Sequence, residues 1–341
     1  MSETVSSGLV ADTKINHFRV LGLLGKGGMG AVYKAEDVNL GRQVALKVLS
    51  PALLEIEGYK DRFFREAQSA ARVQHPNIVS IYHLGTTSKG SPYFAMELVD
   101  GEALDEVLHR VNRFSLEKSV ELLTPVIEAL SFAHGQGIIH RDLKPANLVL
   151  GKDNRIRVLD FGLARMEGST SLTNTGMVMG TPDFMSPEQG LGKKVDHRAD
   201  IYSIGVIFYV FLTGRLPFEG DSALEVMMAH VQTPPPSVRK CLPDLSPYYS
   251  QIIHRCLEKA PEDRFQSYQE LLEALKNGPK PTSSLGQITD PLANRPVSTS
   301  SETKVSSDRS FANQSNPLAK SETKVSAVSY THLTLPTTPY V

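Results

Sequence analysis

The first hundred residues alternate apolar and polar positions in short runs. Phe18-Arg19-Val20-Leu21, Ala31-Val32-Tyr33-Lys34-Ala35, Gln43-Val44-Ala45-Leu46-Lys47-Val48-Leu49, Ile78-Val79-Ser80-Ile81-Tyr82 and Pro92-Tyr93-Phe94-Ala95-Met96-Glu97 read as strands. One helical stretch interrupts them at 61–73, where Phe63, Ala67 and Ala70 share a face. After Asp100-Gly101 the period changes. Val120, Leu123, Ile127, Leu130 and His134 recur at spacings of three and four behind a capping Ser115. His134 reads as a packed face residue rather than a ligand. Pro125 lies inside that helix, where proline costs about 3 kcal/mol or introduces a kink, and nothing nearby explains it. Two short strands, 148–150 and 155–159, flank the turn Gly151-Lys152-Asp153-Asn154. The run 201–212 is apolar nearly all round, as in a core helix. Tyr268, Leu271, Leu272 and Leu275 mark a last amphipathic helix. The pattern predicts an α+β chain with a β-rich N-lobe over 15–97, holding one helix, and a larger, mainly α-helical C-lobe over 98–276.

Both ends lack this patterning. Residues 1–14 are polar and expected to be disordered. From 277 to 341 roughly a third of positions are Ser or Thr, with scattered Pro and no apolar period, so a disordered tail is expected. Ser-Glu-Thr-Lys-Val-Ser occurs at 301–306 and again at 321–326. The stretch 329–338 resembles translated sequencing adaptor, so the natural chain is expected to differ beyond about Ala327.

Composition narrows the class. The 341 residues are 40% hydrophobic and 21% charged, as in a soluble globular protein. A formal net charge of -1 implies no nucleic-acid partner. Two cysteines, Cys241 and Cys256, form no disulfide framework. The start has no signal-peptide pattern, and the longest apolar run is too short to span a bilayer. A cytoplasmic chain without a membrane segment is expected, with a membrane anchor beyond the tail left open for the longer natural protein.

Candidate chemistry is concentrated in three places. Gly25-Lys26-Gly27-Gly28-Met29-Gly30 lies between two strands, and such a turn lets backbone N–H groups approach phosphate oxygens. Dinucleotide folds use a similar motif to open a helix, whereas Val32-Tyr33 continues here as strand. Lys47 sits in an apolar strand, where a lysine is costly unless paired; Glu66 on the following helix is the expected partner. In His140-Arg141-Asp142-Leu143-Lys144-Pro145-Ala146-Asn147, Asp142 can accept a proton from an attacking hydroxyl. Lys144 can meet the group being moved, and Asn147 offers an oxygen to a metal ion. Asp160-Phe161-Gly162 adds a second carboxylate. A hairpin over 148–159 brings Asn147 and Asp160 to one end.

Together these residues resemble a eukaryotic-type serine/threonine protein kinase of the bacterial branch, over about 18–275. The motifs appear in order: Gly25, Gly27, Gly30 and Val32; Val44-Ala45-Leu46-Lys47; Glu66; His140-Arg141-Asp142 with Asn147; Asp160-Phe161-Gly162; and Ser186-Pro187-Glu188, with Ser186 in place of the usual Ala. Lys144 is similar to the serine/threonine signature. Ser-Pro-Glu-Gln at 186–189 and Asp-Ile-Tyr-Ser at 200–203 look bacterial.

The resemblance implies the two-lobed protein-kinase fold and transfer of the ATP γ-phosphoryl to Ser or Thr hydroxyls of proteins. It implies ATP with Mg²⁺ or Mn²⁺. Lys47, held by Glu66, would position the phosphates. Residues 25–30, with Val32, Ala45, Met96 as gatekeeper, and Glu97 to Val99, would surround the nucleotide. Asp142 would be the base, Lys144 would stabilise charge, and Asn147 and Asp160 would hold metal. Thr173 and Thr175 would regulate by phosphorylation, docking on Arg141. Thr181, Asp200, Glu188 and Arg264 would be structural, Arg264 paired with Glu188. Protein substrates, and a homodimer through the N-lobe, are the partners it implies. The rival readings are an inactive kinase-like scaffold or binding module, and a small-molecule phosphotransferase. The intact Lys47, Asp142 and Asp160 argue against the first, and Gly180 to Glu188 with Arg264 against the second.

Overall fold

The structure is a computed structural model and describes residues 12–279, except 28–29, 56–57, 162–181 and the side chains of Arg62 and Glu66. Six strands form the first sheet: β1 (Lys14–Ile15), β2 (Phe18–Gly27), β3 (Gly30–Asp37), β4 (Arg42–Leu49), β5 (Ile81–Thr86) and β6 (Pro92–Glu97), in the order β1-β2-β3-β4-β6-β5. All neighbouring pairs are antiparallel. Residues 12–14, expected in a disordered terminus, are instead tied to this sheet. Lys14 pairs with Arg19, and the Asp12 N–H donates to the Val20 carbonyl at 2.9 Å. The strand edge supplies partners that composition does not reveal.

One helix, α1 (Tyr59–Ala70), packs on this sheet through Phe63 and Ala67, while Ala70, on the face expected from their spacing, is buried in the second-lobe core. The strand predicted at 78–82 begins later, at Ile81. Ile78 instead forms a parallel bridge to Val158, which joins the sheet to the second lobe.

The second lobe contains a small sheet of β7 (Gly101–Ala103), β8 (Leu148–Gly151) and β9 (Ile156–Val158). Its helices are α2 (Leu104–Val111), α3 (Leu116–His134), α4 (Pro187–Gly190), α5 (Arg198–Thr213), α6 (Ala223–Gln232), α7 (Val238–Cys241), α8 (Pro247–Cys256) and α9 (Tyr268–Lys276). The core forms around α5, whose residues are buried almost without exception, as its all-round apolar surface requires. Gly205 lets α8 approach: a Cβ there would lie 2.5 Å from the Cys256 Cβ. Pro125 does not end α3, which runs through 19 residues. His134 corrects the helical-wheel reading. Its ring is exposed and stacks on His197 at 4.2 Å, while Ala133 and Leu130 fill the core. Burial, and then His197, lower its pKa.

Candidate active site

The glycine-rich hairpin closes on the pair Gly27 and Gly30. Gly30 has φ +143°, and a Cβ there would lie 2.1 Å from the Val48 carbonyl oxygen, so only glycine fits against β4. Gly25 and Lys26 lie on β2 opposite Val32 and Ala31; Gly28 and Met29 lie outside the described residues. Beneath the hairpin, Val32, Ala45, Met96 and Val99 pack in one buried apolar group with Ala103 and Val149. Such a group has the chemistry to cover a flat heterocycle. Glu97 ends β6 immediately before the strand leaves the first sheet.

Lys47 on β4 lies 2.6 Å from Asp160 Oδ2, with both side chains less than one-sixth exposed. The expected partner, Glu66, has its side chain outside the described residues. Asp160 has φ +54°, a conformation that costs a non-glycine residue energy and tends to be retained at functional sites. Its Oδ1 is buried with no hydrogen-bond partner among the described residues. A buried carboxylate oxygen in that state is suited to a cation.

The hairpin β8–β9 pairs Leu148 with Val158, and the Leu159 N–H donates to the Asn147 carbonyl at 2.9 Å. Asn147 and Asp160 therefore leave the same end, as the turn at 151–154 predicts. Asn147 Nδ2 donates to the Asp142 carbonyl at 2.7 Å and lies 3.3 Å from Asp142 Oδ2. That use of the amide nitrogen leaves the side-chain oxygen as the end able to ligate. Lys144 Nζ lies 3.1 Å from Asp142 Oδ2. Asp142, Lys144 and Asn147 are therefore bonded into one loop.

Asp200 carries that loop. Its oxygens accept the main-chain N–H groups of His140 and Arg141, both at 2.8 Å. Arg141 has φ +65°, so this anchor holds a backbone that would otherwise relax. His140 is fully buried, with Nε2 2.8 Å from the Leu159 carbonyl. Arg264 donates to Glu188 through both terminal nitrogens at 2.8 Å, and its side chain has no exposure. Thr173, Thr175 and Thr181 lie outside the described residues.

Three contributors were missed in the sequence. Gln189 Nε2 donates to the Arg141 carbonyl at 2.7 Å, joining α4 to the loop that bears Asp142. The Tyr268 hydroxyl donates to Asp200 Oδ2 at 3.0 Å. Arg157 Nε lies 2.9 Å from Glu97 Oε1. Each is an ordinary polar residue whose partner lies tens of residues away, so no local pattern marks it.

A β-rich lobe with a glycine hairpin, set over a helical lobe with a loop of Asp, Lys and Asn, defines a nucleotide-dependent phosphotransferase architecture. The pattern of the protein kinase domain family (Pkinase) matches residues 18–275, and the chain belongs to that family. It is 42% identical over 265 residues to the serine/threonine-protein kinase pkn3 of Myxococcus xanthus, covering 75% of this chain and 48% of the relative. It is 41% identical over 254 residues to the serine/threonine-protein kinase PknB of Mycolicibacterium smegmatis, covering 73% and 41%. PknA of Mycobacterium tuberculosis, also a serine/threonine-protein kinase, is 37% identical over 279 residues, covering 80% and 64%. This chain spans about half the length or less of the first two. Among solved structures, the kinase domain of Mycobacterium tuberculosis PknI aligns with a TM-score of 0.65 and 31% identity, covering 79% of this chain and 99% of that one.

Proposed function

We propose that this protein is a serine/threonine protein kinase that moves the ATP γ-phosphoryl to Ser or Thr hydroxyls of proteins, its own segment 162–181 included. The observation that carries the reading is the bonded loop in which Lys144 and Asn147 both meet Asp142. In that arrangement Asp142 orients the attacking hydroxyl and accepts its proton. Lys144, a fixed cation beside it, offsets negative charge on the group in transit. The apolar group of Val32, Ala45, Met96 and Val99 holds adenine, with main-chain bonds from Glu97 to Val99.

Asn147 and Asp160 are the residues that would hold Mg²⁺ or Mn²⁺. Asp160 Oδ1, without a partner among the described residues, fits such a group, and two protein oxygens suit a cation that takes its remaining ligands from water and phosphate. When bound, the metal supplies positive charge against phosphate oxygens. Lys47 would serve the phosphates from its place beside Asp160 Oδ2, with Glu66 the partner expected from the sequence.

Thr173 and Thr175 are the proposed regulatory sites and Arg141 their docking partner. A homodimer through the N-lobe is part of this reading. No helix among the described residues is long and apolar enough to cross a membrane. No specific observation favours an inactive scaffold. Phosphate incorporation into an added basic protein, read at Ser and Thr by mass spectrometry, tests the proposal.

A further inference from the structure

Arg157 stands on β9, within the hairpin segment that runs from Asn147 to Asp160. Its side chain is 14% exposed and meets carboxylates from both lobes. Two terminal nitrogens bond Asp153, in the turn between β8 and β9, at 3.0 and 2.8 Å. Nε lies 2.9 Å from Oε1 of Glu97, at the end of β6. A planar guanidinium gripped by two parallel bonds has little freedom left, so its Nε edge is fixed in direction. The hydrogen bond from Arg157 pulls the Asp153 carboxyl down to about 2, so the fork stays ionised on both sides. Glu97 is paired through its backbone to Val44 of β4, so a bond to its side chain reaches the first sheet as well. The guanidinium thus joins the strand leading into the interlobe connection to the hairpin bearing Asn147 and Asp160.

We propose that Arg157 is a positioning residue for the nucleotide: its bond to Glu97 holds the adenine-side strand in register with the metal-side hairpin. This rests on the kinase reading above. One nucleotide would be grasped at both ends by parts that this single side chain couples. The alternative is a brace that serves only the turn at Asp153.

The test is ATP titration calorimetry together with steady-state kinetics on the wild type, Arg157→Met, Arg157→Lys and Glu97→Gln. Arg157→Met is expected to raise KM and Kd for ATP about three- to fivefold, as for a partly exposed ion pair, with kcat nearly unchanged because Asp142 and Lys144 are untouched. Glu97→Gln should give the same shift, and the double variant no further loss. Arg157→Lys, which keeps a cation for Glu97 but loses the fork to Asp153 that directs it, should recover only part of the affinity. Unchanged ATP affinity in Arg157→Met or, should that variant not fold, in Glu97→Gln overturns the proposal while leaving the kinase reading intact. A folded wild type that binds no ATP overturns both.

Discussion

Asp200 accepts the main-chain N–H of Arg141 at 2.8 Å, and Arg141 is held there at φ +65°. Asp200 lies on α5, the most buried helix, and its second oxygen takes the N–H of His140 and the hydroxyl of Tyr268. The core helix thus sets the backbone from which Asp142 projects. Replacing Asp200 with Ala strands two buried N–H donors. Hydrogen bonds to charged groups contribute roughly 1.5–3 kcal/mol each, so Asp200→Ala should lower stability by about 3 kcal/mol or more. Turnover should fall as the loop relaxes. Urea unfolding and kcat on the same sample check both; wild-type values in each would contradict the assignment.

The Arg264–Glu188 pair should behave as a buried ion pair that must not be halved. Arg264 also donates to the carbonyls of Glu258, Arg198 and Lys259, so its removal leaves several acceptors and one carboxylate without a donor. Arg264→Ala is expected to cost about 3–5 kcal/mol. Glu188→Gln, which keeps the shape, should cost less. Denaturant midpoints rank the two, and the reverse order would show that the uncompensated charge left on buried Arg264 outweighs its lost hydrogen bonds.

Stability should fall with acid through His230. Its ring is 1% exposed, with Nδ1 2.9 Å from the Tyr202 hydroxyl. Burial, and then Lys259, push its pKa down to about 4 from 6.5. The folded state holds the neutral ring, so the unfolded chain binds more protons between those values. Its contribution is complete above pH 6.5 and is lost as pH falls towards 4, amounting to about 3 kcal/mol. Unfolding free energies from pH 7 to 4 should show that slope, and His230→Phe should flatten it. An equal slope in the variant would assign the acid sensitivity elsewhere.

Thr173→Ala with Thr175→Ala should cut activity towards an added protein while ATP affinity is nearly preserved. A phosphate adds about −1.5 to −2 charges and can dock on an arginine; Arg141 is the nearest arginine to Asp142 in sequence. Progress curves of wild type and variant decide this, because a phosphorylation switch gives a lag that the variant cannot complete. Identical curves would make the two threonines ordinary polar residues.

The grouping of the candidate site was legible in the sequence where its parts are neighbours. Asp142, Lys144 and Asn147 lie within six positions. The turn at 151–154 was enough to fold Asn147 towards Asp160. Helix α5 was legible because an all-round apolar run leaves no other place for it. The bonds that hold the site are of another kind. Gln189 to Arg141, Tyr268 to Asp200 and Arg157 to Glu97 span 48, 68 and 60 positions, and glutamine, tyrosine and arginine carry no periodic signal. His134 was misplaced because the wheel shows only spacing. The ring finds its partner in His197, at the start of a helix far along the chain. Residues 12–14 look like a polar tail by composition, but their backbone pairs with β2.

The most direct measurement is mass spectrometry of the purified protein after incubation with ATP and Mg²⁺, run beside Asp142→Asn. The wild type should gain phosphate on Ser or Thr, both on itself and on an added basic protein. Asp142→Asn should lose turnover by about 10²–10⁴-fold while still binding ATP. A variant that transfers phosphate at the wild-type rate, or a folded, ATP-binding wild type that transfers none, would contradict the account.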